Sequence, residues 1–144
     1  MRNEKNGAIH CLVCDRRRQI TQKQKWIESG LCERCGNTKS KSHVKCCNKC
    51  YLKGTASKTL KDRTRWREIG LKLIEQNCRC VYSGRLLVLG VNTSLDHIVP
   101  RCKGGTHDAN NLQWIDYAIN IMKSGLTEDE FLGFIRDIAK HNQF

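Results

Sequence analysis

Residues 95–123 read L-D-H-I-V-P-R-C-K-G-G-T-H-D-A-N-N-L-Q-W-I-D-Y-A-I-N-I-M-K. Residues 94–99 read as a short strand that stops at Pro100, the only proline of the chain, which cannot continue a hydrogen-bonded ladder. Gly104-Gly105 predicts a turn. Leu112–Ile115 predicts a second short strand, and Asp116–Lys123 a short helix. The unit is therefore strand, loop, strand, helix, and it sets an α+β class. Asp96 and His97 are neighbours on the first strand, so their side chains leave it on opposite faces. They are not expected to touch as a dyad.

These residue types suit phosphodiester hydrolysis. The reaction needs an activated water, charge stabilisation at the phosphorane and help for the departing 3′-oxygen. A histidine can act as the base, and a divalent cation can do the rest. A hard cation prefers oxygen ligands, so a carboxylate (Asp96) and an amide (Asn120), completed by water and phosphate, suit Mg²⁺ or Mn²⁺. His97 alone would more often be a structural histidine. The set of Asp96, His97, Pro100, Gly104-Gly105, Asn111 and Asn120 argues against that reading. For His107, a surface role is favoured slightly over a phosphate contact.

In this stretch the chain resembles the HNH endonuclease superfamily, through Asp96-His97-Ile-Val-Pro100, Gly104-Gly105, Asn111-Leu112 and Asn120-x-x-Lys123. The resemblance covers roughly residues 78–140. It implies a ββα-metal core, with His97 as general base and Asp96 and Asn120 as metal ligands. Asn111, grouped with His97 among the catalytic positions, would hold the loop, and Arg101 and Lys123 would be phosphate contacts or scaffold. The last ligand position is Asn rather than His, an exchange that many members of the superfamily make. Many relatives also frame the hairpin with two C-x-x-C pairs. Here Cys78-Arg-Cys80 is misspaced and 116–119 hold no cysteine, so the core is expected to lack zinc and to leave Cys78, Cys80 and Cys102 as buried or free thiols.

Upstream, the cysteines dominate. Cys32-x-x-Cys35, eleven residues, and Cys47-x-x-Cys50 form the pattern of a four-thiolate Zn²⁺ site, with Gly36 permitting the tight turn after the first pair. A second pair, Cys11 and Cys14, lies 36 residues before Cys47 and Cys50 and is a further candidate for zinc. The rival assignment joins Cys11, Cys14, Cys32 and Cys35, and leaves His43, Cys46, Cys47 and Cys50 for another ion. Residues 1–14 read as short and polar, and 15–29 favour helix. Residues 54–76 read as a basic linker running into a helix with Trp66, Ile69, Leu73 and Ile74 at helical spacing. Arg63, Arg65 and Arg67 around Trp66 suit nucleic-acid contact, although Trp66 serves equally well as that helix's core anchor. Beyond it, Leu86–Val91 has strand length. Thr127-Glu-Asp-Glu130 is a capping box, opening a last helix with Phe131, Phe134, Ile135 and Ile138 on one face, expected to pack on the module.

The chain of 144 residues has a net charge of +12, with 39% hydrophobic and 6% aromatic residues. So low an apolar content calls for staples, and ten cysteines are available. Residues 1–75 hold 19 Lys/Arg against 7 Asp/Glu, whereas 76–144 hold 7 of each. All the excess positive charge therefore lies in the first half, which points to a polyanion, double-stranded DNA first. No apolar run has the length of a membrane span and the N-terminus lacks a signal-like apolar region, so an intracellular setting with reduced thiols and no membrane partner is expected.

The sequence thus predicts three parts: a basic zinc-ribbon-like module over 1–55, a basic linker and helix over 56–76, and an HNH ββα-metal nuclease domain over 77–144. The expected activity is Mg²⁺- or Mn²⁺-dependent DNA cleavage leaving 5′-phosphate and 3′-hydroxyl ends. The basic segment in front resembles those of phage-borne or intron-borne HNH proteins, homing endonucleases among them. One site cuts one strand, so double-strand cutting requires a homodimer or a second binding event. The alternatives are a non-catalytic, zinc-dependent nucleic-acid-binding protein with a decayed nuclease core, and a structure-specific or RNA-directed nuclease.

Overall fold

The structure is a computed structural model that describes the backbone of residues 2–5, 8–39 and 45–143, with side chains over 15–39 and 45–143. The chain divides into two compact units, 1–50 and 51–144. The boundary falls before the segment expected to be a linker.

In the first unit, β1 (Arg2–Lys5) and β2 (Ala8–Cys11) pair as an antiparallel hairpin, Arg2 opposite Cys11, where only a polar lead-in was expected. A long α1 (Leu12–Glu28) follows. Its residues are mostly good helix formers, but beyond Cys14 its side chains are largely exposed, Ile20 and Ile27 included. The buried cluster of this unit is made of cysteines: Cys32, Cys47 and Cys50, with Cys35 and Cys46 packed against them. The helix α2 (Asn48–Thr55) begins here and ends in the second unit.

In the second unit, α2 passes into a π-helical turn, Ala56–Leu60, then a 3-10 turn, Arg63–Arg65, and α3 (Trp66–Glu75). Residues 56–76, expected as a linker running into a helix, do contain the helix, but the stretch before it is core and not linker: Ala56 and Leu60, like Leu52, Ile69 and Leu73, belong to the same buried cluster as Leu95, Leu112, Trp114 and Ile115. Trp66 packs against that cluster, while Ile74 is exposed. The Trp114 indole N–H donates to the Ile69 carbonyl at 2.7 Å, and the Gln76 side chain brackets the Trp114 backbone, accepting from its N–H and donating to its C=O, each at 2.8 Å.

The hairpin and helix fall close to where the pattern places them: β3 (Thr93–His97), antiparallel β4 (Leu112–Asp116) and α4 (Tyr117–Lys123). Every residue of β4 is buried. Asp116 caps α4 by accepting from the Ala118 N–H at 2.9 Å. Leu86–Val91 is not a strand. The Asn92 carboxamide accepts from the Val88 N–H (2.8 Å) and donates to the Leu86 carbonyl (3.0 Å), folding the run into turns. The last helix, α5 (Glu128–Asn142), opens with the capping box formed by Thr127 and Glu130. Of its apolar face, Phe131 is buried, but Phe134, Ile135 and Ile138 are exposed, so only its first turn packs as expected. Among the described residues, no helix is long and apolar enough to cross a membrane.

Candidate functional site

Two constellations of functional side chains stand out, one in each unit. In the first, the Sγ atoms of Cys32, Cys35, Cys47 and Cys50 all lie within 4.8 Å of one another, and among the described residues this is the only group of three or more His, Cys, Asp or Glu side chains able to hold a metal. Cys35 and Cys47 sulfurs are 3.6 Å apart. A tetrahedral ZnS₄ site with bonds of about 2.3 Å has sulfurs about 3.8 Å apart, so the four thiols fit Zn²⁺. The knuckle is built by backbone. Cys35 and Gly36 N–H groups turn back to the Cys32 carbonyl at 3.3 and 2.9 Å, with Gly36 at a left-handed φ of +72°. A Cβ at Gly36 would fall 2.6 Å from the Trp26 ring.

The thiols respond to one another. Burial raises the Cys32 pKa, but backbone N–H donors from Cys47, Arg34 and Cys35 outweigh it and bring the pKa down to about 6. Burial and the neighbouring thiols push Cys50 up, and burial pushes Cys47 up. Four thiolates crowded together need a dication, which zinc supplies when bound. The first of the two cysteine assignments is the one brought together. Cys46 lies beside the four. The side chains of Cys11, Cys14 and His43 lie outside the described residues.

The second constellation surrounds β3, the loop after it and α4. Asp96 is buried and its Oδ2 is shared by the Lys123 ammonium and the Gln113 carboxamide, each at 3.0 Å. Gln113 Nε2 also donates to the Tyr82 hydroxyl at 2.8 Å. Lys123 is fully buried at 0% exposure, and donates to the His97 and Ile98 carbonyls at 3.0 and 3.4 Å. It is therefore scaffold and not a phosphate contact: no polyanion can reach a buried ammonium already held by a carboxylate and two carbonyls.

Asn111 staples the loop. Its Oδ1 accepts from the Val99 N–H (2.8 Å), and its Nδ2 donates to the carbonyls of Val99 (3.1 Å) and Thr106 (2.9 Å). Gly105 completes the staple, because a Cβ there would lie 1.7 Å from the Val99 oxygen. Arg101 donates to the Gly105 carbonyl and its side chain is otherwise exposed.

His97 leaves β3 away from Asp96, as the strand alternation requires, and its Nε2 lies 2.9 Å from Nδ1 of His107. Burial, then His107, Arg101 and Lys123, lower the His97 pKa against the opposing effect of Asp96. Each of these lowering effects disfavours the charged ring. Sequence reasoning favoured a surface role for His107; only the fold of the loop reveals the contact. Asn120 lies on the Asp96 side of β3, donating from Nδ2 to Ser94 Oγ at 2.8 Å. It lines a cleft of about 310 Å³ with Tyr51, Lys58, Thr93, Ser94 and Tyr117. His97, His107 and Asp96 do not line this cleft. For a hard cation the donor set is sparse: one carboxylate, with Oδ2 already neutralised by Lys123, and one amide oxygen, so water and phosphate must supply the rest.

Of the arginines expected to meet nucleic acid, Arg63 is exposed, Arg67 lies over the Trp66 ring 4.8 Å from its centre, and Arg65 is ion-paired with Glu68. Cys80 is buried and accepts from the Asp116 N–H at 3.4 Å, Cys78 is half-buried, and Cys102 is exposed. No known protein family, no characterised protein and no solved structure matches this chain.

Proposed function

We infer that this chain is a metal-dependent DNA endonuclease of the HNH, ββα-metal kind. The observation that supports the reading is the arrangement around β3, β4 and α4. A strand ends in a buried carboxylate and an imidazole, an asparagine staple closes the loop, and the next helix sets a second carboxamide beside the strand. His97 would take a proton from the attacking water. Mg²⁺ or Mn²⁺ held by Asp96 and Asn120 would, when bound, stabilise charge on the phosphorane and the leaving 3′-oxygen. Cleavage leaves 5′-phosphate and 3′-hydroxyl ends. The second half of the chain is electrically balanced, so most of the grip on duplex DNA would come from residues 1–75, where the positive excess lies. The zinc cluster would hold that segment in shape.

A second reading is favoured by one observation, the saturation of Asp96 Oδ2 by Lys123 and Gln113, which suits a structural carboxylate in a decayed, purely DNA-binding core. Supercoiled plasmid incubated with the protein and Mg²⁺ or Mn²⁺ separates the two. The nuclease reading expects conversion to open-circle or linear forms, lost in His97→Ala while DNA binding in a mobility-shift assay persists. Uncut plasmid with both metals, or undiminished cutting by His97→Ala, would overturn it.

A further inference from the structure

The geometry points to His107 as the positioning residue for His97, accepting a hydrogen bond from His97 Nε2–H and so leaving His97 Nδ1 as the ring's one free proton acceptor. The choice between the two tautomers of this pair rests in part on the endonuclease reading, but its test does not.

Two nitrogens 2.9 Å apart share one proton between neutral rings, because two bare lone pairs would repel and two N–H groups would clash. In one arrangement His107 Nδ1–H donates to His97 Nε2. His97 then carries its own proton on Nδ1, its only lone pair is engaged, and it cannot serve as a base. In the other, His97 Nε2–H donates to a bare His107 Nδ1. Both rings then carry their protons on Nε2, the form a free neutral imidazole prefers, and His97 Nδ1 can accept. Only this second arrangement is compatible with general-base chemistry at His97. It is the logic by which a hydrogen bond at one ring nitrogen fixes the role of the other.

The loop is built to hold His107 in place. Asn111 grips the Thr106 carbonyl, the residue just before it, while the Thr106 hydroxyl donates to the Asp108 carboxylate at 2.7 Å, just after it. The rings meet at a tilt of 51° with centres 5.0 Å apart, so they do not stack face to face, and the nitrogen-to-nitrogen contact defines the pair. When His97 becomes an imidazolium by taking a proton on Nδ1, its Nε2–H bond to His107 becomes charge-assisted and stronger. His107 thereby stabilises the charged form that appears during the reaction.

The test is long-range ¹H–¹⁵N NMR of the histidine rings at about pH 8, above the ordinary imidazole range, on the full chain. In the wild type His97 is expected as Nε2–H with bare Nδ1. In His107→Ala the signal should move towards a mixture of both tautomers. His107→Asn, whose carbonyl oxygen can occupy the place of Nδ1, should restore the wild-type form. Plasmid cleavage should fall about 10–100-fold in His107→Ala, with KM for DNA little changed, and recover in His107→Asn. A His97 found as Nδ1–H in the wild type, an unaltered tautomer in His107→Ala, or wild-type cleavage by that variant would each overturn the proposal. The tautomer measurement needs no turnover, so a protein that cuts no DNA would sink the endonuclease reading while leaving this assignment to the spectra.

Discussion

Adjacent glycines in the loop after β3 have different reasons to be glycine. Gly104 sits at a φ of +86° with open space around its Cα, whereas Gly105 has no room, its missing Cβ falling 1.7 Å from a backbone oxygen. Gly104→Ala is expected to cost about 1–2 kcal/mol of backbone strain. Gly105→Ala must displace the Val99 carbonyl that Asn111 holds, and is expected to cost at least about 3 kcal/mol. Urea denaturation of both variants checks the order, and equal losses would refute it. Lys123 tests the buried ion pair. Lys123→Met leaves Asp96 buried without its cation and is expected to lower stability by about 3–5 kcal/mol. The double variant with Asp96→Asn should recover much of that, because the residue left behind is no longer charged. Asp96, His97, Asn111 and Asn120 could be singled out in the sequence because their types match a chemistry. The partners that decide what they do, Lys123 on Asp96 and His107 on His97, lie 27 and 10 residues away in the chain, and nothing in local spacing announces them.

At the scale of elements, α5 depends on its first turn. The Glu130 carboxyl is held at about 2, far below its ordinary 4.5, by Lys103 first and then by the Thr127 N–H and hydroxyl. A pKa lowered by folding gives stability that is complete above about pH 4.5 and is lost as the pH falls towards 2. Glu130→Gln is therefore expected to flatten the loss of α5 helicity in circular dichroism between these values, while Thr127→Ala should cost about 1 kcal/mol at neutral pH. An acid profile for Glu130→Gln identical to the wild type would count against this role. The capping box was legible because it is a local pattern, and the β3–β4–α4 unit was legible because Pro100 and the Gly104-Gly105 turn punctuate it. Leu86–Val91 was misread because strand length says nothing of whether another strand is there to pair. The Asn92 side chain supplies the backbone with partners instead. Residues 56–76 look like a linker because their charges are conspicuous, yet Ala56, Leu60, Ile69 and Leu73, spaced among them, are core.

At the scale of the whole molecule, the two units are held by different means. Residues 51–144 surround an apolar cluster that includes Trp114, while among the described residues the buried cluster of the first unit is the cysteine group. One equivalent of zinc per chain is expected by elemental analysis from Cys32, Cys35, Cys47 and Cys50, falling below half in Cys47→Ser. Chelation should then abolish amide-exchange protection in residues 31–50 while β4 stays protected. Simultaneous loss in both would show that the units do not unfold separately. The four-cysteine pattern was readable because two C-x-x-C pairs are a local spacing that a four-thiolate metal site requires, and the place where the chain divides was not, because α2 runs across it.

Lys123 offers one more consequence. Among the described lysines it alone is buried, so an amine-reactive reagent that modifies surface lysines in the folded protein should leave it untouched. Its labelling would then clock the opening of α4 from β3, and a mass spectrum of one peptide would report, without any substrate, how often the heart of the second unit comes apart.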